Sequence, residues 1–229
     1  SLPHPQGLLL ALGKLNKILE IDAERRIARV QPGVRNLAIT EAAAPHGLYY
    51  APDPSSQIAC SIGGNVGENA GGVHCLKYGL TVNNVLAVKV LTMECQLTTI
   101  GSEALDSPGL DLLALMHGSE GMLGVVVEVT LKLLPNPLTK QVLMVSFDDV
   151  EQGGHAVAAI IARGIIPAGL EMMDGAAIQA AEDFVKAVRV KDNKNDEHAR
   201  EYELSTYWLI TYFFSLILLI IALTLVKIQ

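Results

Sequence analysis

The chain has 229 residues, of which 50% are hydrophobic and 18% are charged, so it can bury a core and lacks the composition of a disordered protein. Its formal net charge of -7 argues against binding to a nucleic-acid backbone, because such binding needs a basic surface. An odd number of cysteines, without any Cys-x-x-Cys pair, argues against a disulfide framework and against a zinc site.

The N-terminal part of the chain predicts short strands and one helix. Strands are predicted at Gly7–Leu12, Ile18–Ile21 and Ala28–Gln31. The second and third of these form a hairpin around a charged turn, and a helix capped by Asn36 is predicted to end at His46 and Gly47. Residues 48–82 have almost no sustained periodicity and predict a long ordered loop system, a kind of segment that is usually functional.

Further strands and helices alternate loosely after this loop system. Strands are predicted at Val85–Thr92, Gln96–Ile100, Val125–Leu134, Val142–Phe147 and Leu170–Met173, and helices at Leu110–His117, Val150–Arg163 and Gly175–Val188. The first two of these strands form a second hairpin, and no regular strand-helix-strand order is present. The pattern therefore favours an α+β fold over a doubly wound parallel sheet.

The C-terminal segment differs in composition from the rest of the chain. Residues 204–226 contain no charge, and at 1.5 Å per residue they give roughly 35 Å of helix, enough to cross a hydrocarbon core. A transmembrane helix is predicted here, with a buried core helix as the alternative. Residues 189–203 are predicted to form a charged linker. This linker contains more basic residues than the segment after the apolar span, which has only Lys227. This bias predicts a cytoplasmic globular part at the face of a membrane.

Glycines are densest in residues 61–72, SIGGNVGENAGG, which follow the segment Pro52-Asp53-Pro54-Ser55-Ser56. Successive backbone N–H groups in such a stretch form concavities that bind anions, and glycine lets a ligand approach the main chain. Ile62, Val66 and Ala70 recur at near-helical spacing, which is not typical of a solvated linker. These features favour ligand binding over a merely structural loop.

A second glycine segment, residues 118–124, enters the strand that begins at Val125. Its glycines suit close contact between a ligand and the backbone, but Gly118 can equally end the preceding helix in a left-handed conformation. Neither glycine segment fits the P-loop pattern or the dinucleotide pattern G-x-G-x-x-G after a strand. Phosphate binding of another design stays open.

Three segments together resemble one known family. They are APDPSSQIACSIGGNVGENAGGVHCLKYGLTVNNVL, GSEGMLGVVVEVTLKLLP and GIIPAGLEMMD. In this order and spacing they resemble the FAD-binding oxidases of the vanillyl-alcohol oxidase type, most closely the members that oxidise glycolate. The resemblance covers residues 7 to about 188. It implies a partial α+β FAD-binding domain at 1–136, which lacks its N-terminal part, and the start of a substrate-binding cap domain at 137–188.

The resemblance implies FAD as the cofactor and oxidation of a 2-hydroxy acid by hydride transfer to flavin, with glycolate converted to glyoxylate. Other glycolate oxidase subunits are the implied protein partners. D-lactate and 2-hydroxyglutarate are alternative substrates. A non-catalytic, membrane-anchored fragment is the alternative function, because the family's earlier Arg-Gly-x-Gly-Thr loop and its later histidine motifs do not occur in this sequence.

Carried over by position, the resemblance predicts fourteen cofactor-binding residues. Those beside the pyrophosphate and ribityl chain are Pro52, Asp53, Ser56 and Ser61, those of the flavin-cradling turn are Ile62, Gly63, Gly64, Asn65, Asn69 and Gly72, and those of the adenine-side strand are Gly121, Gly124, Val125 and Val126. Glu120 is expected to orient its loop. His74 and Lys77 follow the cradle and either could face the flavin, although a structural role is the alternative for His74. No catalytic residue and no metal ligand is assigned.

Overall fold

A computed structural model describes residues 5–103, 109–178, 180 and 217–223. The chain divides into two compact units, Ser1–Pro137 and Leu138–Gln229. The domain assignments made from the sequence stay predictions, and the charged linker at 189–203 lies outside the described residues.

The first unit is built on antiparallel strands with short helices between them. In chain order its elements are β1 (Ile18–Asp22), β2 (Ile27–Val30), α1 (Asn36–Ala43), β3 (Leu48–Tyr49), α2 (Ile62–Glu68), α3 (Cys75–Tyr78), β4 (Val85–Leu91), β5 (Leu97–Gly101), α4 (Leu112–Met116), β6 (Val125–Lys132) and β7 (Leu134–Pro135). Two 3₁₀ helices occupy Ala44–His46 and Thr81–Asn83. Five strands form one sheet in the order β1-β2-β6-β4-β5, and β3 pairs with β7.

Both hairpins predicted from the sequence are confirmed. Strands β1 and β2 pair antiparallel, and β4 and β5 do the same. The charged turn of the first hairpin is closed locally, because the Asp22 carboxylate accepts hydrogen bonds from the Arg25 N–H at 2.8 Å and from Arg25 Nε at 2.7 Å. Arg26 follows in the left-handed region at φ 56°. The turn chemistry and the alternation of apolar residues thus specify the same hairpin.

The core of the first unit lies between the sheet and its helices. Val88 and Val90 of β4 and Val129 and Leu131 of β6 are almost completely buried. They belong to one apolar cluster that also contains residues of α1, α2 and α4, including Ile39, Ala43, Ile62, Val66 and Met116. The helices are therefore held by apolar burial, which also fixes the start of α2 near the sheet.

Two predictions for the N-terminal part are wrong. Residues 8–12 form no strand, and Leu8 is fully exposed, because this apolar run pairs with no strand in the described part of the chain. Helix α1 begins as expected, but its N-cap is Arg35 rather than Asn36. The Asn36 side chain is buried and donates to Pro52 O at 2.9 Å, so it is not available to cap the helix.

The prediction that residues 48–82 are irregular is also wrong in part, because α2, α3 and the strand β3 lie within this range. Helix α2 coincides with the glycine segment. Ser61 is its N-cap, and the Ser61 side chain accepts a hydrogen bond from the Gly64 N–H at 3.3 Å. Asn69 ends the helix in the left-handed conformation, at φ 50°. Caps at both ends offset the low helix propensity of three glycines within α2.

The second unit contains β8 (Gln141–Ser146), α5 (Val150–Ala162), β9 (Gly169–Asp174) and β10 (Ile217–Leu223), and its strands are arranged β8-β10-β9 with both pairings antiparallel. The Asp149 carboxylate caps α5 by accepting from the Gln152 N–H at 2.8 Å. Residues 175–178 are helical, as the sequence predicts, and most of the remaining predicted helix up to Val188 lies outside the described residues. Both units thus combine antiparallel strands with separate helices.

The predicted transmembrane helix at 204–226 is wrong for the seven residues of it that the structure describes. Residues 217–223 form β10, which pairs with β8 from Leu218 to Leu223 and with β9 from Ile217 to Ala222. An uninterrupted apolar run is compatible with a buried strand as well as with a helix, so periodicity does not separate the two. None of the helices among the described residues has the length and apolar character needed to cross a membrane.

Candidate functional site

A cavity of about 210 Å³ lies in the first unit, where the two glycine segments meet. Its walls include the predicted residues Gly63, Gly121, Gly124, Val125 and Val126. Gly67 of α2 and Met116 of α4 also line it. The walls are therefore main chain and mostly apolar side chains, which suit a flat, mostly apolar chemical group.

Backbone hydrogen bonds hold the second glycine segment against α2. The Gly118 N–H donates to Val66 O at 3.0 Å, and the Glu120 N–H donates to Gly67 O at 2.9 Å. These acceptors are carbonyl groups near the C-terminal end of α2, where the helix itself offers few donors. Gly118, Glu120 and Gly121 have positive φ values of 75°, 52° and 76°. The segment thus ends α4, caps α2 and lines the cavity at once, and Glu120 acts through its backbone.

The first turn of α2 does not present free N–H groups. All four of its first N–H groups donate to acceptors of the protein itself. The pairs are Ile62 N to Val34 O at 2.8 Å, Gly63 N to Pro32 O at 2.8 Å, Gly64 N to Ser61 Oγ at 3.3 Å and Asn65 N to Ser61 O at 3.0 Å. The anion-binding concavity that the sequence predicts here is therefore not formed in this conformation.

Three of the predicted glycines are required for packing, among them Gly124, whose Cβ atom would lie 2.5 Å from Val90 Cγ1. A Cβ atom at Gly63 would lie 2.6 Å from Pro32 Cβ, and one at Gly72 would lie 2.4 Å from Asp53 O. By contrast, a Cβ atom at Gly121 would meet nothing within 4 Å. Gly63 and Gly72 thus bring chain segments together, whereas Gly121 faces open space at the cavity.

The two predicted asparagines contact the protein through their side chains. Asn65 is buried and its Nδ2 donates to Asn36 Oδ1 at 2.9 Å, while Asn36 Nδ2 donates to Pro52 O. This chain of buried amides ties α2 to α1 and to the segment that precedes Asp53. Asn69 Oδ1 accepts from the Val82 N–H at 3.0 Å. Both asparagines therefore position loops.

One carboxylate oxygen of Asp53 has a hydrogen-bond partner, and the other has none among the described residues. Its Oδ2 atom lies 2.6 Å from His74 Nδ1, whereas its Oδ1 atom is buried without a hydrogen-bond partner in the described part of the chain. A buried acceptor without a partner is costly, and a hydroxyl group of a ligand or a water molecule would satisfy it. Ser56, three residues further on, is exposed.

Aromatic side chains pack next to the Asp53–His74 pair. The Tyr78 ring lies 6.3 Å from the His74 ring and 6.4 Å from the Tyr49 ring, edge to face in both pairs. Lys77 Nζ lies 5.6 Å from the centre of the Tyr78 ring. Burial, followed by the hydrogen bond with Tyr78, raises the pKa of Tyr49 above its ordinary value. Tyr49 therefore stays neutral at physiological pH.

Sequence reasoning missed several residues of the site. Leu10 and Leu12 line the cavity, although the sequence indicated only a strand there. Met116 and Ser119 line it from the end of α4, and no sequence signal distinguishes them from ordinary core and turn residues. Within the described residues no group of three or more His, Cys, Asp or Glu side chains is arranged to hold a metal ion.

Two protein families match this chain. Residues 2–101 match the family described as FAD binding domain, and residues 136–210 match the family described as FAD linked oxidases, C-terminal domain. Together the matches span about three quarters of the chain.

Curated relatives are similar over most of the chain. Glycolate oxidase subunit GlcD of Escherichia coli (strain K12) is 66% identical over 82% of this chain and 38% of that protein. The subunit of the same name from Bacillus subtilis (strain 168) is 42% identical over 80% of this chain and 39% of that protein. D-lactate dehydrogenase of Anaerostipes hadrus is 34% identical over 88% of this chain and 42% of that protein. The chain thus spans about two fifths of the length of these relatives.

A solved structure of alkyldihydroxyacetonephosphate synthase has a similar fold, with a TM-score of 0.68 and 19% sequence identity. The similarity covers 92% of this chain and 37% of the synthase chain. At this level of identity the likeness concerns the fold alone.

Proposed function

Because the chain belongs to the family of FAD linked oxidases, we propose that it binds FAD and takes part in the oxidation of a 2-hydroxy acid, glycolate to glyoxylate. The observation that carries this proposal is the cavity at which Gly63, Gly121 and Gly124 meet, since the two glycine segments are distant in sequence. A cofactor that supplies redox chemistry needs binding and orientation from the protein, and this cavity offers both.

The residues present fit part of an FAD molecule. The cavity volume of about 210 Å³ is below the roughly 300 to 1,000 Å³ of pockets that enclose a whole ligand, so it suits one ring system of the cofactor. Gly121, Gly124, Val125 and Val126 would hold this ring system through main-chain contacts and apolar walls. When bound, FAD accepts the hydride that a hydroxy acid releases on oxidation.

The segment at Asp53 fits a different part of the cofactor. Its buried Oδ1 atom, which has no hydrogen-bond partner among the described residues, would accept a hydrogen bond from a hydroxyl group, as in a ribityl chain or a ribose. A carboxylate repels phosphate at close range, so Asp53 favours the hydroxyl-bearing part over the pyrophosphate. The occupied N–H groups of α2 are consistent with this preference.

The choice of glycolate rests on the identities of the relatives. Glycolate oxidase subunits reach 66% and 42%, whereas a D-lactate dehydrogenase reaches 34%. A D-2-hydroxyglutarate dehydrogenase of Xanthomonas citri is 40% identical, but over 63% of this chain. Other glycolate oxidase subunits are the proposed protein partners, because the names of these relatives describe a subunit. The cytoplasmic location inferred from the charges around residues 204–226 stays a prediction.

The test is the visible absorption spectrum of the purified chain after incubation with FAD and gel filtration. We expect flavin to co-elute and its absorption to bleach on anaerobic addition of glycolate. Val125→Phe should reduce flavin retention by filling the cavity, whereas Val142→Phe, on the exposed face of β8, should not. A colourless wild-type protein would overturn the proposed function.

A substrate panel separates the candidate hydroxy acids. Glycolate, D-lactate and D-2-hydroxyglutarate are added in turn to the flavin-loaded protein, and the bleaching rates are compared at equal concentration. Glycolate should be at least tenfold faster than the other two. Equal rates for all three acids would end the assignment of glycolate.

A further inference from the structure

The first unit contains a second cavity, of about 230 Å³, on the face of the five-stranded sheet that points away from the apolar cluster. Side chains alternate between the two faces of a strand, so Lys89 and Glu128 point away from the cluster that contains their neighbours Val88 and Val129. The described residues that line this cavity are all different from those of the cavity proposed for the cofactor. We call it the polar cup, after its polar lining residues Arg29, Lys89, Thr99, Glu103, Glu128 and Thr130.

Small residues form the floor of the polar cup. Ala87 and Thr130 lie opposite each other on β4 and β6, and both are buried. The register of these two strands shifts between Val85 and Ala87 and again between Lys89 and Val90. Such irregularities bend a strand and are common next to functional sites. The sheet thus forms a depression at this position instead of a flat face.

Ion pairs hold the rim of the polar cup. Arg29 Nε donates to Glu20 Oε2 at 2.8 Å, and the Arg25 guanidinium pairs with the Glu103 carboxylate. Arg25 lies in the turn between β1 and β2, whereas Glu103 follows β5 at the opposite edge of the sheet. The second pair therefore links the two edges, and the charges of Arg29 and Glu103 are both engaged by the protein itself.

Four other side-chain groups in the polar cup have no hydrogen-bond or ion-pair partner among the described residues. They are the Lys89 ammonium group, the Glu128 carboxylate and the hydroxyl groups of Thr99 and Thr130. Lys89 and Glu128 lie directly opposite each other in the ladder, where opposite charges commonly pair. In the described part of the chain no ion pair connects them. One positive and one negative group are thus available to a ligand.

The signs of these two groups select the chemistry of the ligand. Lys89 attracts a carboxylate that Glu128 repels, and an amine has the reverse preferences, so a ligand with a single charge gains little. A molecule that carries both charges can form a charge-assisted hydrogen bond with each group. The cavity is smaller than the roughly 300 to 1,000 Å³ of pockets for drug-sized ligands, so this molecule is small.

We propose that the polar cup binds a small zwitterion of the amino-acid class, with the ligand carboxylate on Lys89 and the ligand ammonium group on Glu128. The hydroxyl groups of Thr99 and Thr130 bond the remaining polar atoms of the ligand. This site is separate from the cofactor cavity, so it does not depend on the proposed function.

The experiment is ligand-detected saturation-transfer NMR on the full chain without added FAD. The probe is L-alanine, and the matched controls are propionate and ethylamine, each of which carries only one of its two charges. We expect L-alanine to bind at least tenfold more tightly than either control. Lys89→Met and Glu128→Gln should each weaken L-alanine binding about tenfold or more, because each removes one charge-assisted contact. Lys14→Met and Glu41→Gln, at exposed positions outside the polar cup, should bind as the wild type does.

A further variant blocks the polar cup without removing a charge. Thr99→Phe, on the exposed edge strand β5, should abolish L-alanine binding by filling the cavity. Thr98→Phe is its control, because Thr98 is also exposed but pairs with Val90 and so faces the other side of the sheet. Circular dichroism checks that each variant is folded.

Three outcomes would overturn the proposal. They are a wild type that does not bind L-alanine, equal binding of L-alanine, propionate and ethylamine, and L-alanine binding by the folded Lys89→Met protein within twofold of the wild type. The retention of flavin is measured separately, so each of these outcomes leaves the proposed function intact.

Discussion

Glycines at the candidate site have two distinct roles, and the sequence alone does not show which glycine has which role. Gly63 and Gly72 lie where a Cβ atom would overlap Pro32 or Asp53, whereas Gly121 borders open space in the cavity. Substitution at the first kind of position forces chain segments apart, and substitution at the second kind strains a backbone with positive φ.

Gly72→Ala is expected to destabilise the first unit by about 1 to 3 kcal/mol, the usual cost of overpacking, because its Cβ would lie 2.4 Å from Asp53 O. Urea unfolding followed by circular dichroism measures this change. Gly13→Ala is the matched control, since nothing lies within 4 Å of its Cβ position and its φ is not positive. Equal stability of the Gly72→Ala protein and the wild type would contradict the packing role.

His117 should make the stability of the protein depend on pH. Burial lowers the pKa of His117, although the hydrogen bond to Leu113 O opposes this shift. The unfolded chain, with an ordinary imidazole pKa of about 6.5, then takes up a proton more readily than the folded chain. Stability is therefore fully present above about pH 6.5 and falls as the pH decreases towards the lower pKa of the folded state.

Replacement of His117 by Gln should flatten this dependence, because the amide has no proton to gain between pH 7 and pH 5. The free energy of unfolding from urea titrations at several pH values provides the measurement. His155→Gln, at an exposed position on α5, should keep the slope of the wild type. An unchanged slope in the His117→Gln protein would show that another group causes the dependence.

The buried amides show where prediction from residue types stops. The cofactor contact predicted for Asn65 stays a prediction, while its side chain donates to Asn36, which the sequence predicts as a helix cap. Asparagine has the same donors and acceptors in either role. The partner is decided by which segments pack together, and those lie 29 residues apart.

At the scale of elements, α2 and β10 depart most from the sequence prediction. Helix α2 forms from a segment with three glycines because Ser61 and Asn69 cap its ends and Ile62 and Val66 are completely buried. Tertiary burial here outweighs helix propensity, as it does in most short helices of proteins. The near-helical spacing of Ile62, Val66 and Ala70 was the sequence signal for it.

Truncation before β10 tests the strand assignment of residues 217–223. Removing residues 217–229 takes the central strand from between β8 and β9 and leaves both without their ladder partner. We expect amide hydrogen exchange in β8 and β9 to increase at least tenfold, because exchange reports local opening. Removal of residues 224–229 alone is the control and should leave exchange unchanged. Unaltered protection after the longer truncation would contradict the pairing.

At the scale of the whole molecule, the residues that line the proposed cofactor cavity all belong to the first unit. The lining runs from Leu10 to Val126, whereas the first unit extends to Pro137. Its strands pair with one another, and its helices α1, α2 and α4 share one apolar cluster. The proposed cofactor contacts therefore need no residue of the second unit.

A chain that ends at Pro137 should bind FAD with an affinity within about threefold of the full chain. Quenching of flavin fluorescence during titration measures both dissociation constants. Val125→Phe in the shortened chain is the control for specific binding and should weaken it. A loss of more than tenfold in the shortened chain alone would show that residues 138–229 contribute to the site.

The sequence by itself determined both hairpins, the antiparallel α+β character of the chain, the two glycine segments and the family to which they belong. These features depend on local turn chemistry, on alternation of apolar residues and on the order of motifs, all of which can be identified directly in the sequence. The resemblance predicts Gly63 beside the flavin and Gly121, Gly124, Val125 and Val126 beside the adenine; these assignments stay predictions, although all five residues line one cavity.

Only the tertiary structure decided that the N–H groups of α2 are occupied, that Asp53 pairs with His74 and that residues 217–223 form a strand. The Ile62 and Gly63 N–H groups, the Asp53 carboxylate and β10 each find a partner that is remote in sequence. A backbone N–H binds an anion only if no carbonyl group reaches it first, and an apolar run becomes a strand only where neighbouring strands complete its hydrogen bonds.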